Sequence, residues 1–192
     1  MILYFNSQEV NIMKFTTGKA RLSYAHIFKT YANEGNAPKY SCSLLFPKSD
    51  KKNIERLNQT LKEMLADPDN RQKWGTSNAA ALKMPLRDGD AEKPDDPNYK
   101  GMYFLNASAN PDYPPKVVLL DRTPVADPSE VYSGCWVQAV LDFYAYNSHG
   151  NKGIGTGLRG IRKLKDDTPF TKSEVSDSDF SDDFIDDDDM FD

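Results

Sequence analysis

Flat aromatic rings and cationic side chains recur side by side along this chain: Tyr24, Phe28-Lys29 and Tyr31, then Lys39-Tyr40, then Lys100 ahead of Tyr103-Phe104. Rings of this kind stack nucleobases while Lys and Arg track the phosphates of a single strand, each stacked base contributing about 1–3 kcal/mol. Trp136, Tyr144 and Tyr146 extend the set, because the apolar series Val137, Ala139, Leu141, Phe143 and Ala145 claims the other face of that segment. Lys152, Arg159, Arg162, Lys163 and Lys165 then place five positive charges in fourteen residues. Two readings of each group stay open. A small barrel also needs aromatics in its core, and a basic run also serves as a solvated strand edge that discourages edge-to-edge pairing. The residues carried forward as nucleic-acid contacts are the eleven named as aromatic–basic pairs (Phe104 apart) or with Trp136, together with Lys152, Arg159 and Arg162.

Other chemistry has weaker support. Gly155-Thr156-Gly157-Leu158-Arg159-Gly160 spells G-x-G-x-x-G, but a dinucleotide site needs a βαβ unit of about 30 residues and a later acidic residue. Only 32 residues follow Gly160, and the last 20 are strongly acidic, so no crossover helix and strand fit. Asp88 and Asp90, with Asp95-Asp96 nearby, could hold a divalent ion for phosphodiester cleavage, which needs several converging carboxylates. A tight polar turn is the commoner meaning of Asp-Gly-Asp. Cys42 and Cys135 stand apart within apolar segments, and His26 and His149 form no close-spaced ligand pair with them. Reduced, buried thiols are expected, with no metal, no cofactor and no catalytic residue.

Charge divides the chain. Overall it holds 24 basic and 29 acidic residues, a formal net charge of −5. Ten of those acids lie in residues 173–192, which hold no Lys or Arg; without them the remainder carries 24 basic and 19 acidic residues, net +5. So dense a run of like charges repels itself and offers little apolar surface, which predicts a disordered acidic tail. Its end, Asp186, Asp187, Asp188, Asp189, Met190, Phe191 and Asp192, is the candidate partner-binding motif.

The elements that must position these groups are mostly strands. Larger side chains alternate along Arg21–Phe28, and after the polar turn Asn33-Glu34-Gly35-Asn36 a second strand runs over Lys39–Phe46, so the pair reads as a hairpin. Ile54, Leu57, Leu61, Met64 and Leu65 then share one face of a helix capped by Ser49 or Asp50 and stopped at Asp67-Pro68. From Asp67 to Lys100 the chain is polar and Pro-rich and reads as a long loop, functional or mobile. Strands resume at Gly101–Asn106, Lys116–Leu120 and Trp136–Tyr146, and Gly153–Leu164 is a last Gly-rich, basic element. Several strands, one helix and long loops predict a mainly β protein, a five-stranded antiparallel OB-fold barrel with one packed α-helix. The predicted organisation is an N-terminal extension over 1–13, the barrel domain over 14–172 and the tail over 173–192. No apolar run approaches the roughly 20 residues of a membrane span, and Met1–Phe5 lacks a signal-peptide pattern, so a cytoplasmic protein is expected.

The segments ARLSYAHIF, KYSCSLLFPKSD, MPLRDGD, KPDDPNYKGMYFLNA, SEVYSGCW and FYAYNSHGNKGIGTGL resemble a phage-encoded family of single-stranded DNA-binding proteins. The resemblance spans about Lys19 to Leu164 and implies an OB-fold, sequence-independent binding of single-stranded DNA, and a role in phage replication or recombination. An acidic tail ending at or near Phe is similar to those through which such proteins engage polymerases and helicases. Tethered near its own groove at an effective concentration of order millimolar, the tail is expected to compete weakly with DNA. The N-terminal extension departs from the resemblance. A metal-dependent nuclease, or a module binding protein or RNA, are the alternatives. Oligomeric state is not legible.

Overall fold

Alternating burial makes strands the commonest element of this chain. In the computed structural model, which describes residues 11–32 and 34–170, β1 spans Ile12–Thr16, β2 Ala20–Tyr31, β3 Lys39–Pro47, β4 Arg87–Asp88, β5 Met102–Ala109, β6 Lys116–Val118, β7 Trp136–Ser148 and β8 Asn151–Lys165. Helices α1, Lys51–Ala66, and α2, Pro68–Trp74, and the single turn α3, Gly89–Glu92, lie between β3 and β5. The acidic tail, with Asp186–Asp192, falls outside the described residues.

Strands β7, β2, β3, β5 and β8 form a ring that closes where β7 meets β8. This is the expected five-stranded OB-type barrel. Four of its joins are antiparallel; the fifth, β5 to β8 through Ser108 and Gly157, is parallel. An odd number of strands cannot alternate direction all the way round, so one join must be parallel. Inside the ring Leu22, Leu44, Leu105, Val137, Ala139, Leu141 and Phe143 are fully buried. Burying a side chain of this kind stabilises the fold by about 1.5–3 kcal/mol.

Two boundaries differ from the sequence expectation. The extension predicted over 1–13 ends inside β1, where Ile12 pairs with Tyr144 and Met13 with Phe143. β1 and β2 both pair along β7, and Met13 packs on the core, so the barrel edge needs those two residues. The segment 67–100 is also more than a loop. Asp67 caps α2 by accepting from the Asp69 and Asn70 amides, Pro68 starts it, and Gly75 ends it in the left-handed region. Trp74 is buried, its Nε1 donating to Gly153 O at 2.9 Å, and Leu82 and Tyr99 are buried further on. Trp74 and Tyr99 stand singly in polar sequence and carry no period, so the sequence pattern did not reveal them; Leu82 alternates with Met84 and Leu86, the one apolar repeat of the segment.

Helix α1 packs as its apolar spacing predicts, burying Ile54, Leu57, Leu61 and Met64, and Asp50 is the cap, accepting from Asn53 N at 3.3 Å. The Asn53 side chain ties the helix to the β1–β2 turn, accepting from Gly18 N at 2.9 Å and donating to Lys19 O at 3.1 Å. Among the described residues no helix is long and apolar enough to cross a membrane.

Candidate nucleic-acid interface

Register decides which side chains share the outer face of β2, β3 and β5. Since successive residues point to opposite faces, the inward Leu22, Leu44 and Leu105 leave three cross-strand rows outside. Arg21 stands in register with Leu45, and Leu45 with Phe104; Ser23 with Ser43, and Ser43 with Asn106; His26 with Ser41, and Ser41 with Ser108. Between Ser23 and His26 the pairing slips by a β-bulge. Tyr24 sits there at φ +46°, a strained conformation for a bulky residue, and a hydrogen bond of 3.1 Å from Ala25 N to Ser133 Oγ holds the bulge. The bulge aims the Tyr24 ring into solvent, 54% exposed.

These rows floor a cleft of about 570 Å³. Tyr24, His26 and Tyr31 form one rim, Arg87 and Lys93 bring positive charge, and Ser41, Ser43 and Asn106 supply small polar groups. The Ser43 hydroxyl donates to Asn106 Oδ1 at 2.5 Å. The base is apolar: Tyr99 and Phe104 meet edge to face, centroids 5.0 Å apart, beside Leu45. Burial pushes the Tyr99 phenol's pKa up, partly offset by the Ser43 and Ser23 hydroxyls. The Arg87 guanidinium lies 4.8 Å from the Phe104 ring centre and is paired with Glu92. Exposed rings with cationic side chains at their edge can stack planar groups and attract anions.

The predicted contacts separate into two arcs of the barrel. Tyr24 and Tyr31 line the cleft; Phe28 and Lys29 are exposed on the same strand, and Lys39 pairs with Tyr31. Tyr40 is half-buried opposite Ala109. Lys100 is exposed, lining a second cleft of about 310 Å³ with Arg21, Asp167 and Phe170. Tyr103 faces the core side and carries the Lys48 ammonium 5.0 Å above its ring.

Trp136, Tyr144, Tyr146, Arg159 and Arg162 lie on β7 and β8, around the ring. There Tyr144 covers β8: a Cβ on its register partner Gly155 would lie 2.5 Å from Tyr144 Cε2. Arg159 pairs with Asp142 at 3.2 Å and Arg162 Nε donates to Leu120 O at 2.9 Å, both bordering a cleft of about 340 Å³. Lys152 Nζ donates to Trp74 O at 2.9 Å, an end carbonyl of α2.

Sequence reasoning missed Arg21, His26, Ser43, Arg87, Lys93 and Asn106. His26 carried a signal, since it alternates with Tyr24 in the first predicted strand. Arg87 and Lys93 carried none, because the polar segment holding them reads as a loop. The nuclease candidates are engaged otherwise: Lys48 Nζ meets Asp88 Oδ1 at 2.6 Å and Asp90 Oδ2 at 2.7 Å, and Asp90 Oδ1 accepts from Gly101 N. Those ion pairs hold both carboxyl pKa values below the usual range. The glycines of 155–160 lie inside strand β8 rather than at a strand-to-helix turn, so the dinucleotide reading has no βα turn to act through. Among the described residues no three His, Cys, Asp or Glu side chains gather as for a metal ion.

Residues 13–191 match the family described as Enterobacter phage Enc34, ssDNA-binding protein. Protein p50 of Acyrthosiphon pisum secondary endosymbiont phage 1 is 30% identical over 175 residues, 85% of this chain and 90% of that one. The structure resembles the single-stranded DNA-binding protein from bacteriophage Enc34 solved in complex with ssDNA, with a TM-score of 0.69 and 28% identity over 82% of this chain and 89% of that chain. It also resembles gp2.5, a single-stranded DNA-binding protein encoded by bacteriophage T7, with a TM-score of 0.57 over 88% of this chain and 98% of that one; at 15% identity that likeness is one of fold.

Proposed function

This chain belongs to the family described as Enterobacter phage Enc34, ssDNA-binding protein, and from that premise we propose that it binds single-stranded DNA, without sequence preference and without cleaving it, across the outer face of β2, β3 and β5. The observation that carries this is the cleft rimmed by Tyr24 and Tyr31, two rings more than half exposed above a floor of serines and Asn106. A folded chain leaves such rings in water at a cost in apolar burial, and a cleft of planar rings with cationic edges suits unpaired bases on a phosphate backbone. Stacking accepts any base, hence the lack of sequence preference.

In this reading the protein covers single strands during phage replication or recombination in the host cytoplasm. The acidic tail competes weakly for the groove, its carboxylates and Phe180, Phe184 and Phe191 imitating phosphates and bases. When DNA displaces it, Met190-Phe191-Asp192 becomes available to polymerase or helicase.

Fluorescence-anisotropy titration of labelled oligo-dT and a matched duplex, with the full chain and a 1–172 truncation, tests this. The expected result is strong preference for the single strand, tighter binding by the truncation, and a log–log salt slope of about −0.7 per phosphate neutralised. Equal affinity for duplex, or for RNA of the same length, would overturn the proposal; unchanged affinity on truncation at low salt would remove the tail's competition alone.

A further inference from the structure

The Arg21 row continues beyond the cleft. Trp136 on β7 stands in register with Arg21, and Lys165 on β8 with Trp136. One line of partners therefore crosses the outer face through Lys165, Trp136, Arg21, Leu45, Phe104 and Arg87. After β8 the chain does not leave this face but folds back along that line. The Asp167 carboxylate accepts from Trp136 Nε1 at 2.7 Å and from Arg21 Nη1 at 3.0 Å, and Arg21 Nη2 donates to Thr168 O at 3.0 Å. Phe170 N donates to Ser133 O at 2.9 Å. The Phe170 ring lies 4.7 Å from the Arg21 guanidinium and packs against Leu45, Tyr99 and Phe104, the apolar base of the cleft.

Residues 167–170 thus cross the strands as an acid followed by a ring, on a surface whose chemistry exceeds what they use. Lys19, Arg21 and Lys165 all stand within 5.6 Å of the Trp136 ring centre, against the single carboxylate of Asp167. Arg21 Nε is buried without a partner. A guanidinium grips phosphate through two parallel N–H donors, so a phosphate in place of Asp167 keeps the Trp136 and Arg21 hydrogen bonds and has a further donor to accept from. Thr168 and Pro169, between the two anchors, are exposed.

We propose that Arg21, Trp136 and Lys165 form a nucleotide subsite at the end of the DNA groove, that Asp167 and Phe170 occupy it in the free protein as stand-ins for a phosphate and a base, and that single-stranded DNA displaces them. The inference rests on the DNA-binding reading above. It is separate from the distal tail's competition, because it concerns residues 167–170 and their contacts on the face itself.

The test uses the full chain. Phe170→Ala changes no charge, and Asp167→Asn weakens the other anchor; Asp69→Asn, on α2, controls for the loss of one negative charge. Each is titrated with labelled oligo-dT. Both strap variants are expected to bind about three- to tenfold more tightly than wild type, with Asp69→Asn unchanged. That is the gain from opening a strap closed for about 70–90% of the time, since apparent affinity scales with the competent fraction. Tryptophan emission is expected to fall on DNA binding and to stop responding in Trp136→Phe, leaving buried Trp74 as a constant background. If wild type binds single strands while Phe170→Ala binds equally or more weakly, or if Trp136 emission ignores DNA, the strap is a permanent part of the barrel and the subsite is overturned. Absence of single-strand preference in wild type would instead remove the DNA reading, and the subsite with it.

Discussion

His26 and Tyr31 stack face to face, ring centroids 4.4 Å apart and planes within 12° of parallel. They lie five positions apart on one strand, where regular alternation would send them to opposite faces. The pairing of β2 with β3 slips once before His26 and again before Tyr31, and the slips bring the two rings together. The pair leaves Tyr31 half exposed and holds it as a platform at the cleft rim.

Replacing Tyr24 or Tyr31 by Ala should therefore weaken oligo-dT binding, each by about 1–3 kcal/mol if it stacks one base, with little change in melting temperature. Tyr144→Ala should do the reverse, lowering the melting temperature with a smaller effect on affinity, because its ring covers Gly155. Anisotropy titration beside thermal unfolding separates the two; equal affinity losses from all three would show that the site is not confined to the β2–β3–β5 face.

Two glycines of β8 predict a graded loss of stability. The nearest atoms a methyl at Gly155 would meet all belong to the Tyr144 ring, which can move, so Gly155→Ala should cost about 1–3 kcal/mol. A methyl at Gly153 would lie 2.8 Å from Lys83 N, where the Lys83 backbone bonds to Lys152 and Ile154. Backbone held at both ends cannot retreat. Gly153→Ala should unfold at the lower denaturant concentration of the two, and the opposite order in urea would contradict this packing.

Lys48 makes the β4 corner acid-sensitive. Its hydrogen bonds hold the Asp88 and Asp90 pKa values below those of the unfolded chain. Their contribution to stability is thus fully present above the ordinary carboxylate pKa and is lost as pH falls through the depressed folded values. Melting temperature followed from pH 7 down to pH 3 should fall more steeply for wild type than for Lys48→Met. Parallel curves would mean that these exposed pairs add nothing measurable, as many surface ion pairs do.

Neither cysteine should behave as a reactive thiol. Burial pushes the Cys42 thiol up to about 12 and raises Cys135 as well, while the thiolate is the reacting form. A colorimetric thiol reagent at pH 8 should leave the native protein unmodified for as long as it stays folded and count two thiols in denaturant. Fast modification of the native chain would place one of them outside the core.

Alternation in Trp136–Tyr146 and helical spacing in Ile54–Met64 were legible in the sequence because both are set locally, by the pleat of a strand and the pitch of a helix. Together with the turn residues they predicted strands, one helix and a closed barrel, and the blocks from ARLSYAHIF to FYAYNSHGNKGIGTGL carried the family. The acidic tail is likewise a matter of composition. Which rings share a face was decided elsewhere. Tyr24 and Tyr31 rim the cleft because bulges shift the register of β2, and Arg87 reaches it because a two-residue strand pairs with β5. Trp74 and Tyr99 read as loop residues until the barrel gave them walls to pack against. Asp167 and Phe170 sit on Trp136 and Arg21 only because β8, β7 and β2 are adjacent in the closed ring. Period is a property of the neighbouring peptide units, so the sequence alone determines it; register and closure depend on pairing between separate strands, from Tyr31 with Lys39 to Arg21 with Trp136, which only the folded barrel sets.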